Sequence, residues 1–146
     1  MRLWHKDLIG VLPQKQLLGQ WRECCAIAKA IKEKGTPNHL LVNKVMKFPI
    51  DHLYSYAAEV FEELQNRGYN AVWESIEKHL PKHHLSLISH DGLFDTKEVS
   101  WHNYRYFWQC YSNLQEKHDC GGISDQEFRS VYSRAIEYLH TNRTSF

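Results

Sequence analysis

The sequence has no long hydrophobic run and almost no net charge. No apolar stretch approaches the roughly 18 residues that cross a membrane, and the first seven residues lack the apolar core of a secretory signal. The 18 Lys and Arg residues nearly balance the 17 acidic residues, so the net charge is +1, which argues against a generic nucleic-acid binder. We therefore expect a cytoplasmic chain without membrane attachment.

Cysteine, proline and glycine are also scarce, with four, four and seven residues among 146. Cys24 and Cys25 are adjacent and no C-x-x-C motif occurs, so reduced thiols in a cytosolic chain are the simplest interpretation. The sequence contains no glycine loop suited to cradling phosphates, no internal repeat and no low-complexity linker. These absences exclude collagen-like and repeat-built architectures.

The residues that are present have a composition typical of one globular domain, which we assign to residues 1–146. Hydrophobic residues make up 42% and aromatic residues 13%, which suffices for a packed core and argues against long disorder. Residues 1–50 contain nine basic and three acidic residues, whereas residues 51–146 carry a net charge of −5. This asymmetry suggests a polar partner on the N-terminal part, unless the fold mixes the charges again.

Helical periodicity begins directly after Pro13, which is suited to the start of a helix. One apolar stripe then follows a spacing of four, three, four and three residues, and comprises Leu17, Trp21, Cys24, Ala28 and Ile31. Residues 35–37, Gly-Thr-Pro, predict the end of this helix. On its polar face, Lys15, Arg22 and Lys29 recur every seven residues.

Further helices are predicted along most of the remaining chain. Residues 38–48 form a connector with a helical turn, and Pro49 opens a second helix that stops at Arg67-Gly68. Asn70 is the predicted cap of a short helix, residues 83–95 form a loop, and 101–117 is a further helix. A capping box at 124–127 precedes the last amphipathic helix. The fold class is therefore all-α, a bundle of four to five helices.

Two groups near the start of the chain have the chemistry of a covalent catalyst. Arg2 is too large for the usual removal of an initiator methionine, so we expect Met1 to carry the α-amino group. That amine has a reference pKa of about 7.7–8.0, so a useful fraction is neutral and nucleophilic at physiological pH. Glu23 lies at the edge of the apolar stripe, where a carboxylate is partly enclosed and suited to acid–base work. A glutamate on a helix is more often a solvated surface residue.

The same region resembles a known enzyme family. The motifs MRLWH at 1–5, Leu-Ile at 8–9, Leu-Pro at 12–13 and QLLGQWRE at 16–23 look like the N-terminal signature of the pyrimidine-dimer DNA glycosylases, which excise ultraviolet photodimers. The stretch NRGYN at 66–70 also resembles the family, and residues 106–117 do so more loosely. The resemblance covers roughly residues 1–70 and implies an all-helical glycosylase and abasic-site lyase that uses no metal or cofactor.

The resemblance also implies roles for individual residues. Met1 matches the terminal amine that attacks the anomeric carbon of the sugar, displaces the base and forms an imine before β-elimination cuts the strand. Glu23 matches the carboxylate that stabilises the sugar cation and assists proton transfers. Arg22 matches an arginine that contacts the DNA backbone, and Arg2 matches a basic residue beside the nucleophile.

The implied partner is double-stranded DNA that carries a damaged or abasic site, bound by a monomer that has no contact with membranes. Lys15 and Lys29 extend the basic stripe toward DNA, although an ordinary solvated helix face is the alternative interpretation. His5 is close in sequence to the nucleophile and is a candidate for contacting phosphate or orienting the amine, with a structural hydrogen bond as the equal alternative.

Other functions remain open from the sequence alone. Ala26 and Gln16 replace an arginine and a histidine of the family prototype, and the C-terminal part is acidic. A non-catalytic helical module that binds DNA or protein on the same scaffold is therefore the main alternative. A metalloprotein is a third, because His79, His83, His84, His90, Asp91 and Asp95 crowd one segment. Pro81 interrupts the helix that would align the first two of these, so we assign no metal ligand.

Overall fold

A computed structural model describes residues 2–35 and 38–142 and confirms the all-α prediction. Among these residues there are six α-helices and two short 3-10 helices, slightly more than the four to five helices predicted. No β-strand occurs in the described ranges, which contain one isolated bridge between Asp95 and Ser100. In chain order the elements are a 3-10 helix at Lys6–Val11, α1 at Gln14–Lys34, α2 at Leu40–Val45, α3 at Ile50–Asn66, α4 at Glu74–Glu77, a 3-10 helix at His90–Gly92, α5 at Tyr104–Asp119 and α6 at Asp125–Asn142.

Helix α1 forms as its apolar spacing predicts. Pro13 occupies the cap position, and Gly35 ends the helix with a φ of 66°, a conformation that favours glycine. Four of the five stripe residues are buried, and the fifth, Ile31, is half-buried. The stripe packs mainly against α3, so the two longest N-terminal helices form the centre of the fold.

Helix α3 begins after Pro49, as predicted, and buries Leu53, Tyr56, Val60 and Leu64 along one face. Beyond its last turn, Gly68 has a φ of 85°. Arg67 does more than end the helix: its guanidinium donates to the carbonyl of Leu12 at 2.8 Å and to that of Gly10 at 3.2 Å. These bonds fasten the end of α3 to the segment that leads into α1.

Two helix starts differ from the prediction. Helix α4 is a single turn that begins after Trp73, so Asn70 does not cap it. Helix α5 begins at Tyr104 rather than at residue 101, because the side chain of Asn103 accepts a hydrogen bond from the Tyr106 amide at 3.0 Å and forms the cap. Trp101 belongs to the irregular segment before the helix, where it is buried.

Helix α6 has the predicted serine cap but buries a narrower face than expected. The Glu127 amide donates to Ser124 Oγ at 3.1 Å. Of the predicted apolar side, Val131 and Ala135 are buried and Phe128 is half-buried, whereas Tyr132, Ile136 and Leu139 are exposed. The reason is that α6 packs chiefly against α5 and the first 3-10 helix, on one side only.

The structure also bears on the expectations about membranes and thiols. Within the described ranges, no helix combines the length and the apolar character that crossing a bilayer requires. The four cysteines are free thiols, with Cys24 and Cys110 buried and Cys120 exposed.

Candidate active site

The start of the described chain is an extended segment, residues 2–4, that lies against α1. The Trp4 amide donates to Gln20 Oε1 at 2.6 Å, and Gln20 Nε2 donates to the Arg2 carbonyl at 2.9 Å. Gln20 is 1% exposed and Leu3, between the two bonds, is fully buried. One glutamine side chain therefore pairs with the backbone on both sides of Leu3.

Two tyrosines from other helices also form hydrogen bonds with the backbone of this segment. The hydroxyl of Tyr56 on α3 lies 2.5 Å from the Trp4 carbonyl oxygen and 2.9 Å from Gln20 Oε1. The hydroxyl of Tyr106 on α5 donates to the Leu3 carbonyl at 2.6 Å. The backbone of residues 2–4 is thus fixed by side chains from three helices.

Glu23 stands one turn after Gln20 on α1 and is half-buried. Its Oε2 atom is enclosed and has no hydrogen-bond partner among the described residues, and the same holds for Gln16 Oε1 two turns earlier. Residues 16, 20 and 23 share one helix face because they are spaced by four and three. An enclosed carboxylate oxygen without a partner is costly, so Glu23 retains a bonding capacity that no described residue uses.

Met1, the expected nucleophile, lies outside the described residues. Arg2, the first residue within them, is half-buried, and its guanidinium carbon lies 5.4 Å from the centre of the Trp4 ring. Burial raises the pKa of both Tyr106 and Cys110, while the Arg2 guanidinium opposes the rise. Tyr106 therefore stays protonated at neutral pH and remains a donor to the backbone of Leu3.

The remaining predicted DNA-binding cations lie on the outer face of α1. Arg22, Lys15 and Lys29 are all exposed, so the structure presents them to solvent on the helix that also carries Glu23. Ala26 is exposed on the same helix, between Arg22 and Lys29. The positions are compatible with contact to a polyanion and equally with a solvated helix face.

The position of His5 differs from that expected of a residue that contacts DNA. Its side chain is 1% exposed, its Nδ1 atom accepts from the Asp7 amide at 3.1 Å, and its ring stacks on that of His102 at 5.3 Å between centroids. Burial lowers the pKa of His5 to about 4. A neutral, enclosed imidazole is not presented to a phosphate, so the packing supports the alternative of a structural hydrogen bond.

The histidine-rich segment does not converge on one point. His83 and His84 are exposed, whereas His90 lies between two carboxylates, with Nε2 at 2.6 Å from Asp7 and Nδ1 at 2.7 Å from Glu59. These hydrogen bonds raise the pKa of His90 to about 10. Across the described part of the chain, no group of three or more His, Cys, Asp or Glu residues is arranged to hold a metal ion.

Sequence reasoning missed the residues that hold the N-terminal segment. Gln20 carried a signal, since it is a polar residue between buried neighbours on an apolar stripe, yet it entered the sequence-based prediction only as part of the QLLGQWRE motif. Tyr56 and Tyr106 occupy apolar helix faces, where a tyrosine is hard to distinguish from phenylalanine without knowing what its hydroxyl meets.

Comparison with known proteins agrees with the residues assembled here. The sequence model of a family described as pyrimidine dimer DNA glycosylase matches residues 1–77, which include the extended segment, α1 and α3. No curated protein and no solved structure showed significant similarity to the chain. The match spans more than half of the 146 residues, and the chain therefore belongs to the pyrimidine dimer DNA glycosylase family.

Proposed function

We propose that the protein is a DNA glycosylase with abasic-site lyase activity, in which the α-amine of Met1 is the nucleophile and Glu23 is the catalytic carboxylate. Family membership implies glycosylase activity on DNA. The amine chemistry and the lyase step go beyond that membership and depend on the arrangement around Glu23.

One observation carries this proposal: Gln20 holds the Arg2 carbonyl one helical turn before Glu23, whose Oε2 atom has no described partner. Side chains three residues apart on a helix are neighbours, about 5–6 Å between Cβ atoms. Met1 directly precedes Arg2 in the sequence, and Gln20 binds the Arg2 carbonyl. The proposal therefore assigns the Met1 amine and the Glu23 carboxylate to the same sugar.

The proposed reaction begins when the neutral amine attacks the anomeric carbon of the damaged nucleotide. The C–N bond to the base breaks, and the base leaves with the bonding electrons and takes up a proton. Loss of a proton from the amine and opening of the sugar ring give an imine between Met1 and the anomeric carbon. Removal of a proton from the adjacent carbon then expels the 3′-phosphate, and water hydrolyses the imine to release the enzyme.

The Glu23 carboxylate serves two steps in this scheme. Its negative charge stabilises the positive charge that develops on the sugar as the base departs, an effect that is larger when water is excluded. It also accepts and returns protons during imine formation and elimination. The enclosed position of Oε2 suits both tasks, because that oxygen is not shared with a structural hydrogen bond to the described residues.

Arg2, Arg22, Lys15 and Lys29 are the proposed contacts to the DNA backbone. Extruding a nucleotide from a duplex costs a few kcal/mol. Neutralising phosphates with cations offsets that cost through the release of counterions. The three α1 cations are exposed on the helix that carries Glu23. Helix α1 can therefore contact the DNA backbone and also present the Glu23 carboxylate to the reacting sugar.

Borohydride trapping on duplex DNA with a single abasic site tests the proposal. The wild-type protein should give a covalent adduct, and Glu23→Gln should give none while keeping the helical circular dichroism. Glu33→Gln, an exposed position on the same helix, is the matched control and should trap normally. A variant with residues added before Met1 should also lose trapping. Persistent trapping in that variant would exclude the amine as nucleophile.

The same assay distinguishes the proposed enzyme from the main alternative, a non-catalytic helical module that binds DNA or protein. A non-catalytic module would bind the duplex equally in wild type and Glu23→Gln, and neither protein would form an adduct or cut the strand. Photodimer-containing DNA should be included, since strand breaks that appear only after alkali treatment would establish glycosylase activity without the lyase step.

A further inference from the structure

Gln20 and Tyr106 hold the backbone next to the proposed nucleophile from opposite halves of the chain. Gln20 lies on α1 within the family-matched region, whereas Tyr106 lies on α5 outside it. We propose that these two side chains are positioning residues for the N-terminal amine, a role that rests on the proposed function. They would fix the direction in which the chain leaves Arg2 toward Met1.

The hydrogen-bond pattern supports a positioning role. The first residues of a chain are usually poorly ordered unless something ties them down. Here the Arg2 carbonyl, the Leu3 carbonyl and the Trp4 amide each have a side-chain partner, at 2.9, 2.6 and 2.6 Å. Burial of Leu3 would anchor the segment, but only directional bonds fix the rotation of the peptide planes beside it. A nucleophile on a fixed backbone has less orientational freedom to lose when it reacts.

The lack of charge on Gln20 and Tyr106 also suits a neighbouring amine that must be neutral to react. Gln20 and Tyr106 are uncharged, and burial raises the pKa of Tyr106, which keeps its proton on the hydroxyl. A carboxylate at either place would favour the ammonium form and raise the pKa of a nearby amine. Uncharged hydrogen-bonding groups can therefore hold the segment without adding a second negative charge to that of Glu23.

Tyr106 also joins the N-terminal segment to a helix outside the family-matched region. Its hydroxyl reaches the Leu3 carbonyl from 103 residues away in sequence. Helix α5 thus also binds the N-terminal segment, and the C-terminal part of the protein contributes a residue to the proposed site.

Single-turnover borohydride trapping on saturating abasic-site duplex tests this inference, because it yields a rate constant and an amplitude separately. Tyr106→Phe should lower the rate constant about tenfold, since small misplacements of a nucleophile cost this much or more. Its amplitude and its affinity for the duplex should equal those of wild type. Tyr132→Phe, which removes an exposed hydroxyl from α6, should match wild type in all three.

Two substitutions of Gln20 provide a second test of the positioning role. Gln20→Met removes both backbone bonds at similar volume and should also slow trapping about tenfold, whereas Gln115→Met at an exposed position on α5 should not. Gln20→Glu should shift the midpoint of the trapping rate to higher pH, because the new carboxylate favours the ammonium. This shift would show that position 20 lies close to the reacting amine, whereas Gln115→Glu, at the exposed position on α5, should leave the midpoint unchanged.

The outcomes separate the two proposals. Normal trapping by wild type together with unchanged rate constants in Tyr106→Phe and Gln20→Met, whatever their amplitudes, would overturn the positioning role and leave the proposed function standing. Absence of any wild-type adduct would overturn the proposed function and the positioning role together. Slower trapping with unchanged affinity, and the pH shift in Gln20→Glu, would support both.

Discussion

The amide of Trp4 donates to the side-chain oxygen of Gln20 across 2.6 Å, which ties the start of the chain to α1 one turn before Glu23. The two residues are 16 positions apart, and the turn between them contains the first 3-10 helix and Pro13. This connection holds the first described residues against a long helix. A site that uses the terminus chemically needs such a connection, because rigid support limits the freedom of the reacting group.

Removing the hydroxyl of Tyr56 should destabilise the protein by about 1–2 kcal/mol, the cost of leaving a buried partner unsatisfied. Tyr56 is fully buried, and its hydroxyl meets both the Trp4 carbonyl and Gln20. Urea unfolding of Tyr56→Phe measures the change in the free energy of unfolding. Tyr132→Phe at an exposed position is the control and should stay within about 0.5 kcal/mol of wild type. An equally small effect for Tyr56→Phe would show that the hydroxyl does not stabilise the N-terminal segment.

Acid should destabilise the protein between about pH 6.5 and 4 because His5 is buried in its neutral form. Burial lowers the pKa of His5 to about 4, whereas an unfolded histidine titrates near 6.5. Within this window the unfolded state binds a proton that the folded state does not, so stability falls as the pH falls. The loss attributable to His5 between pH 7 and pH 5 is about 2 kcal/mol. Burial also lowers the pKa of His102 and adds to the same trend.

Urea unfolding at pH 7 and pH 5 checks this prediction. His5→Asn should reduce the pH-dependent loss, because asparagine can still accept the Asp7 amide at the helix cap but does not titrate. His140→Asn on the exposed end of α6 should leave the loss unchanged. A loss in His5→Asn as large as that in wild type would contradict a neutral, enclosed His5.

His90 should have the opposite pH dependence. Its hydrogen bonds to Asp7 and Glu59 raise its pKa to about 10, so the folded state holds a proton that the unfolded state releases near pH 6.5. The stabilising contribution is therefore complete below pH 6.5 and is lost as the pH rises toward 10. Nuclear magnetic resonance titration of the His90 ring measures the folded pKa directly, and His90→Gln should flatten the alkaline arm of the stability profile. A ring that titrates near 6.5 would refute the bridge between the two carboxylates.

The local signals in the sequence were sufficient for the long helices. Pro13 and Pro49 each precede a helix, Gly35 and Gly68 follow one, and Ser124 caps another, because each of these residues restricts its own backbone or bonds to it. Asn70 does not cap a helix, because only a single helical turn forms nearby, after Trp73. Helix nucleation is unfavourable, and a favourable cap residue alone does not overcome its cost.

Local sequence signals could not predict which side chains bind the N-terminal segment. The bond from Tyr106 to Leu3 spans 103 residues, and no periodicity encodes which tyrosine hydroxyl meets which carbonyl. His5 illustrates the same limit, since its sequence position beside the proposed nucleophile gave no indication that four aromatic or imidazole rings enclose it. Glu23 was located correctly at the edge of the stripe because its place depends only on helical spacing.

If Arg22 contacts a phosphate, Arg22→Gln should weaken binding to duplex DNA by a similar factor for damaged and undamaged sequences. Each phosphate contact contributes about one unit to the slope of log affinity against log salt, so the variant should bind with a slope smaller by about one. Fluorescence anisotropy across a salt series measures that slope, and Lys97→Gln, at an exposed position in the loop before α5, serves as the charge-matched control. The substitution should leave the free energy of unfolding nearly unchanged, because Arg22 is exposed on α1. An unchanged salt slope would assign Arg22 to the solvated face of the helix and leave Arg2, Lys15 and Lys29 as the proposed contacts to the DNA backbone.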